Sequence, residues 1–342
     1  MERALDTRAG CATIDGCADP PPLPKELSGR AISVAEAMAA GVSRERLRRS
    51  DLSTPFTGVR SPLGGDDTLL LRDLPAGPDD PEYWTRVREL VLARARSYRR
   101  RMSGRVVFSH ATAAHIHGFY LPSRLATDLT LHVATAAPGY RPRTRGVRGH
   151  LMPEGRVELA TVDDLVTTAP LDTWCMLASS LSLDQTVVIA DQLMERQHPV
   201  ATLAELSRAA RAHTGRHGAK QLRAALPLAR ARTDSPKETE LRLVIVRAGL
   251  PEPLINHPVL NRFGVELRLG DLVYPQLRVL VEYDGWRHRD DSRQFERDID
   301  RLSEAVEDGW YVVRIHKGML GANAQVAVHH VRAALLAQGW RP

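Results

Sequence analysis

Gly270-Asp271-Leu272-Val273-Tyr274-Pro275-Gln276-Leu277-Arg278-Val279-Leu280-Val281-Glu282-Tyr283-Asp284-Gly285 is the stretch on which the reading of this chain turns. Two strand-like runs, Val265 to Tyr274 and Arg278 to Asp284, flank a tight turn at Pro275-Gln276-Leu277. Folding about that turn sets Asp271 opposite Val281 or Glu282. Period-2 alternation sends Val279, Val281 and Tyr283 to one face and Leu280, Glu282 and Asp284 to the other. Two carboxylates therefore project from one side, with Asp271 on the adjacent strand. Three acids so crowded repel unless a cation or a proton intervenes. Hard oxygen ligands of this kind suit Mg²⁺, which keeps waters and takes substrate phosphate. Such an ion lowers the pKa of bound water and offsets charge during attack on phosphorus. Taken alone, the spacing fits equally well an acidic surface hairpin whose carboxylates are paired with arginines.

The flanking segments complete an α/β unit. Ser235-Pro236-Lys237-Glu238 predicts a helix start: Ser235 as N-cap, Pro236 in the first turn and Glu238 closing a capping box. Leu241, Ile245 and Ala248 then share one face, and Gly249 ends the helix. Downstream, Gly285 allows a sharp exit and His288 stands four residues past Asp284. Phe295 to Asp308 reads as an amphipathic helix with the stripe Phe295, Ile299, Leu302 and Val306, and with Asp298 and Arg301 paired on another face. Gly309 caps it, and Trp310 to Ile315 is a third strand.

These residues resemble the PD-(D/E)XK nuclease superfamily and, within it, the domain similar to very-short-patch repair endonucleases. The match rests on Gly270-Asp271-Leu272-Val273-Tyr274-Pro275, Val281-Glu282-Tyr283-Asp284-Gly285-x-x-His288, Asp298-x-x-Arg301 and Gly309-Trp310-x-Val312-Val313-Arg314. It spans about 235–320, four elements agreeing in order. The resemblance implies metal-dependent phosphodiester cleavage, with Mg²⁺ (Mn²⁺ as a substitute) held by Asp271 and Glu282. It places the helix glutamate on Glu238 and the repair-enzyme histidine on His288, a general acid/base candidate. Three departures stand out. Asp284 occupies the usual lysine position, Gly270 precedes Asp271 where the superfamily has proline, and His288 lies about one residue nearer the Asp-Gly pair. Glu238 reads as either a cap or a metal-side residue, Asp284 as serving either the turn or the metal, and Lys317 is a candidate for charge stabilisation.

Upstream, residues 1–25 carry Cys11, Cys17 and three consecutive prolines without apolar periodicity, and are expected to form a disordered tail. Residues 26–62 read as a small winged helix-turn-helix: a helix from Ile32 to Ala40, Gly41, then a second helix capped by Ser43 and running to Ser50. The second helix carries Arg44, Arg46, Arg48 and Arg49 around Leu47, an arrangement that can lie against a duplex, and Thr54 to Arg60 would be the wing. Residues 63–234 form an α/β middle domain. Its helix from Glu82 to Met102 ends in a basic stripe including Arg99, Arg100 and Arg101, and a strand is expected over Asp128 to Val133. His110-x4-His115-x-His117 suggests a metal, but on a helix His115 and His117 point to opposite sides and cannot share one ion. About 30–200 resembles the AbiEi-type antitoxin family of type IV toxin–antitoxin systems. The matching pieces are Gly41-Val42-Ser43, Ser109-His110-Ala111-Thr112-Ala113-Ala114 and the block from Thr161 to Leu177. That resemblance implies a DNA-binding or protein-interaction role.

Composition bounds these readings. The 342 residues are 43% hydrophobic and 26% charged, in the range of a globular protein with two or three domains. The chain lacks an apolar run of membrane-span length and an apolar signal-peptide core. Its three cysteines have no zinc-type spacing, and a cytoplasmic location follows most simply. Residues 1–234 hold 32 basic against 26 acidic side chains, whereas 235–342 hold 15 of each, so the net charge of +6 lies wholly upstream. The expectation is therefore an α/β protein with a restriction-endonuclease-like C-terminal domain (235–342), a mixed sheet flanked by helices, behind a helix-turn-helix and a middle domain. Its expected function is metal-dependent cleavage of DNA, double-stranded by preference, in DNA repair or in defence against phage and plasmids. One alternative is a DNA-binding regulator or type IV antitoxin-like protein with an inactive nuclease fold. Another is a scaffold for a partner toxin without DNA contact, and a partner toxin or a homodimer is the expected assembly beside DNA.

Overall fold

The computed structural model describes residues 20–63, 77–78, 80, 82–284 and 302–342. Three β-sheets with flanking helices organise them into a mixed α/β protein.

The N-terminal module holds β1 (Ile32–Ser33), α1 (Val34–Ala39), β2 (Leu52–Ser53) and β3 (Val59–Pro62), with sheet order β1-β3-β2. Ser33 caps α1: its hydroxyl accepts from Glu36 N at 3.0 Å, and the Glu36 carboxylate returns to Ser33 N. The second helix expected over 43–50 is not formed. Ser43 does accept from Arg46 N at 3.1 Å, but the segment makes only a 3-10 turn, Arg46–Arg48. Leu47 is its sole buried residue, and helix nucleation is too costly to be sustained by one apolar contact. Arg60 Nε also takes the Leu47 carbonyl at 2.6 Å, removing an acceptor from a continuing helix.

In the middle region α2 (Tyr83–Arg99) packs Val91, Ala95 and Tyr98 against Ala31, Phe56 and Val59 of the first module. A six-stranded sheet of order β6-β7-β5-β4-β9-β8 follows. It comprises β4 (Val106–Phe108), β5 (Leu131–Ala136), β6 (Arg143–Thr144), β7 (Val147–Met152), β8 (Leu159–Val162) and β9 (Leu165–Thr168). The strand expected over 128–133 begins three residues later because Asp128 Oδ1 accepts from Thr130 N at 2.9 Å, closing a local turn. Between β4 and β5 lie α3 (His110–His117), ended by Gly118 at φ 73°, and α4 (Ser123–Ala126). Helices α5 (Pro170–Leu177), α6 (Leu183–Leu193), α7 (Leu203–Ala212) and α8 (Ala219–Ala225) bury Trp174, Ile189, Leu206 and Leu222 in one core.

The last unit runs α9 (Pro236–Arg247), β10 (Leu254–Leu260), β11 (Glu266–Tyr274), β12 (Val279–Asp284), α10 (helical over 302–307), β13 (Tyr311–His316) and α11 (Ala324–Ala337). Its sheet order is β10-β11-β12-β13, the first three strands an antiparallel meander and β13 parallel to β12. Helices α9 and α11 cover one face through Leu241, Ile245, Val331 and Leu335 against Leu272, Val279, Val281 and Ile315. Ala305 of α10 packs on the other face with Val259, Val273, Leu280 and Trp310. Pro275–Leu277 forms a 3-10 turn, and Arg278 leaves it at φ 49°.

This unit is fastened to the middle region by buried charge. Arg242 of α9 is 1% exposed and donates at 2.8 Å to Asp191 of α6, which also accepts from Thr239 Oγ1 and Arg230 N. Burial raises the Asp191 carboxyl, and Arg242 opposes that shift. Val187 of α6 and Leu243 of α9 pack beside the pair.

Candidate active site

The site assembles around the β11–β12 turn. Leu272 faces Val281 and Val273 faces Leu280, so the ladder brings Asp271 beside Glu282. Backbone amides tie these two acids to each other's strands: Tyr283 N donates to Asp271 Oδ2 at 2.8 Å, and Asp271 N to Glu282 Oε1 at 3.3 Å. Gly270 makes room for the arrangement, since a Cβ there would collide with Leu280 and Val273.

Glu238 arrives from α9. Ser235 caps the helix by accepting from Glu238 N at 3.2 Å, but the reciprocal half of the capping box is absent. The Glu238 carboxylate instead accepts from Asp234 N at 3.0 Å and from Asn256 Nδ2 at 2.8 Å. Asn256 sits on β10 in the left-handed region at φ 43° and exchanges hydrogen bonds with the Arg232 backbone and side chain. A non-glycine residue held in that region stores strain, which proteins tend to place at functional sites.

Burial pushes Glu238 up to about 7, with the charge of Asp271 adding to it. Burial likewise raises Asp271 to about 7, helped by Glu282 and opposed by the Tyr283 amide and Arg268. Glu282 is raised by burial against the pull of Arg268. Three acids from α9, β11 and β12 therefore sense one another's charge, with one guanidinium among them. Arg268 Nη2 donates to Glu282 Oε2 at 2.7 Å. The acids do not close into a group whose donor atoms all lie within 4.8 Å of one another. Arg268 meets the charge of Glu282, while Glu238 and Asp271 are held by backbone and amide donors, with no cationic side chain among the described residues bonded to either.

The other sequence candidates lie elsewhere. Asp284 stands at the end of β12 paired with Arg314 of β13 at 2.9 Å, so it serves the strand edge. His288, Asp298 and Arg301 lie outside the described residues. Lys317 opens the turn after β13. Sequence reasoning missed Asn256 and Arg268. A polar Asn inside Leu254-Ile255-Asn256-His257 was the available signal for the first, whereas the Arg268 contact depends on strand register.

Among the basic candidates, Arg44, Arg48 and Arg49 are exposed, as are Arg99, Arg100 and Arg101. Arg46 departs from the expectation of a DNA contact. Its side chain is 9% exposed, and it grips Asp51 at 2.9 and 2.7 Å, closing the loop around Leu47. Arg101 donates to the Thr57 carbonyl and lies over the Tyr98 ring, which joins the end of α2 to the β2–β3 hairpin.

No family model matches the chain, and no solved structure matches it. Two curated proteins of Mycobacterium tuberculosis, from strains CDC 1551 / Oshkosh and ATCC 25618 / H37Rv, are similar to it, and both are described as uncharacterized. Each is 29% identical over 215 residues, covering 63% of this chain and 75% of the relative. The chain is thus defined by its own architecture, a mixed α/β protein with three sheets. No described helix is long and apolar enough to cross a membrane.

Proposed function

We propose that the chain is a metal-dependent DNA endonuclease of the PD-(D/E)XK kind, its C-terminal unit hydrolysing phosphodiester bonds and its upstream arginines gripping the duplex backbone. The observation that carries this reading is the convergence of Glu238, Asp271 and Glu282 from three elements, the first buried and the other two half-buried, with all three carboxyls raised by burial and mutual repulsion. A helix, a three-stranded antiparallel meander, a helix and a strand parallel to the third is also the order that this superfamily implies. Asp271 and Glu282 would hold Mg²⁺, with Glu238 on the metal side, and the ion would supply an activated water and a charge clamp on phosphate. Asn256 and Asp234 N orient Glu238 by their hydrogen bonds. Arg268 takes the part of the missing lysine: released from Glu282, its guanidinium can meet the charge that develops on phosphate. His288 would assist proton transfer. Arg48, Arg49, Arg99, Arg100 and Arg101 supply backbone contacts whose affinity falls with salt.

A second reading, a DNA-binding regulator or antitoxin-like protein with a silent nuclease fold, is favoured by the pairing of Asp284 with Arg314 where the lysine belongs. Plasmid nicking in Mg²⁺ or Mn²⁺ separates the two. Cleavage by the wild type that is abolished in Asp271→Ala and Glu282→Ala supports the nuclease. Salt-sensitive duplex binding without cleavage supports the regulator. Absence of duplex affinity would leave the scaffold for a partner toxin.

A further inference from the structure

The middle region carries a second constellation, built from different chemistry. His110 opens α3 after β4, His132 lies on β5 and His150 on β7. Strands β5 and β7 run parallel with His132 opposite Arg148, which sets His150 two residues further along the same ladder. The β4–α3 turn is drawn onto this edge by Ser109 N donating to the His132 carbonyl at 3.0 Å and His132 N donating to Thr112 Oγ1 at 2.7 Å. As a result, one ring nitrogen from each of His110, His132 and His150 lies within 4.8 Å of the other two, with His132 buried and His110 and His150 half-buried. His150 Nε2 and His132 Nδ1 are 3.1 Å apart. Two nitrogens bound tetrahedrally to one zinc ion at ~2.05 Å would stand about 3.3 Å apart, so this pair already has a bite of the right width.

His110 adds an independent sign. It adopts φ 49°, a left-handed conformation that few non-glycine residues take and histidine takes more readily than most, at the first residue of a helix. That conformation stacks its ring on His150 with centroids 3.9 Å apart instead of sending it to solvent. The stacked ring would turn about its side-chain torsions to direct a nitrogen at an ion shared with the other two.

We infer that His110, His132 and His150 form a three-histidine site for a first-row transition metal, zinc before others, with an open fourth position. Three neutral imidazoles suit zinc and its neighbours and not Mg²⁺, so this site is chemically separate from the carboxylate cluster. Burial, followed by neighbouring His150, His132 and Arg148, holds His110 down at about 3, and burial with His150 and Arg148 holds His132 at about 4. An ion bound among them would replace the hydrogen bond between His150 Nε2 and His132 Nδ1, and His110 Nδ1 already has Ser109 Oγ as a partner. Arg148 and Arg141 add positive potential beside His150. Against that potential, the open position favours hydroxide or an anionic ligand over neutral water.

The test uses the full chain, stripped with a chelator, reloaded with zinc, desalted and measured by elemental analysis. The expected result is one zinc per chain, lost in His150→Gln, whose side chain stands at the outer edge of the cluster. The doubly substituted Asp271→Asn, Glu282→Gln protein should retain its zinc, which separates this site from the proposed nuclease centre. Cobalt loading gives a second readout, an intense visible d–d spectrum in the wild type that is missing from His150→Gln. A wild type that takes up less than about a tenth of an equivalent, or a His150→Gln variant that keeps the full zinc and the cobalt spectrum, would overturn the assignment.

Discussion

Replacing Asp271 with asparagine removes charge from the carboxylate cluster while nearly preserving shape. The Asn Oδ1 can still accept from Tyr283 N, and its NH₂ group can donate to Glu282, which Asp271 now repels. In the folded protein Asp271 is raised from 3.8 to about 7, chiefly by burial and then by Glu282. A raised carboxyl keeps its proton in the folded chain after the unfolded chain has lost it. Stability is therefore unaffected below about pH 4, declines as pH rises toward 7, and is lowest above that. A shift of about 3 pH units corresponds to ~4 kcal/mol at most. Sharing of the repulsion with Glu238 and Glu282, and the partial solvent access of Asp271, bring the expected gain for Asp271→Asn at pH 8 to about 2 kcal/mol, or roughly 3 °C in Tm for a chain of this length. Thermal melts of wild type and variant at pH 4 and pH 8, each with and without Mg²⁺, measure it. The variant should match the wild type at pH 4 and exceed it at pH 8, and the proposed metal site predicts that Mg²⁺ raises the melt of the wild type and not that of the variant. An Asp271→Asn protein less stable than the wild type at pH 8, or a difference that does not change with pH, would refute the reasoning.

Two further outcomes follow from charge placement. Asp191→Ala leaves the Arg242 guanidinium buried without its carboxylate and should cost ~3–5 kcal/mol in denaturant unfolding. Arg247→Ala breaks the exposed pair with Asp184 and should cost under ~1 kcal/mol, so similar losses in both would contradict the role given to burial. In the N-terminal module, Arg46→Ala should lower stability through loss of the Asp51 fork, with little direct effect on nucleic-acid affinity. The pair Arg48→Ala, Arg49→Ala should leave the melt unchanged but weaken duplex binding and flatten its dependence on salt, as titrations at several salt concentrations would show.

The hairpin was legible because its information is local. Alternation from Val279 to Asp284 and a proline-led turn need no distant partner, and the structure places the strands at Glu266–Tyr274 and Val279–Asp284. That alone set Asp271 opposite Val281 or Glu282, and the observed register, Leu272 facing Val281, puts it beside Glu282. Glu238 could not be weighed between cap and site, because its choice depends on Asn256, a contact across 18 positions in sequence. Arg268 was invisible for a similar reason, since its reach to Glu282 requires the exact ladder. In the N-terminal module, Ser43 and a run of arginines looked helical, but propensity gave way where only Leu47 could be buried. The three histidines escaped notice because they come from a turn and two parallel strands. Spacing along a helix, the pattern that His110, His115 and His117 offered, directed attention to the wrong trio.

The buried bond between Asp191 and Arg242 also governs how this protein can be taken apart. A fragment cut just before Ser235 would carry Arg242 into solution with only Glu252 of its two carboxylate partners, and the upstream piece would keep Asp191 without its guanidinium. A shortened version meant to isolate the C-terminal sheet should begin upstream of Ser182, carrying α6 along with it. Recombination between relatives would face the same seam: hybrids joined before α6 take both partners from one parent, whereas those joined between α6 and α9 take one from each.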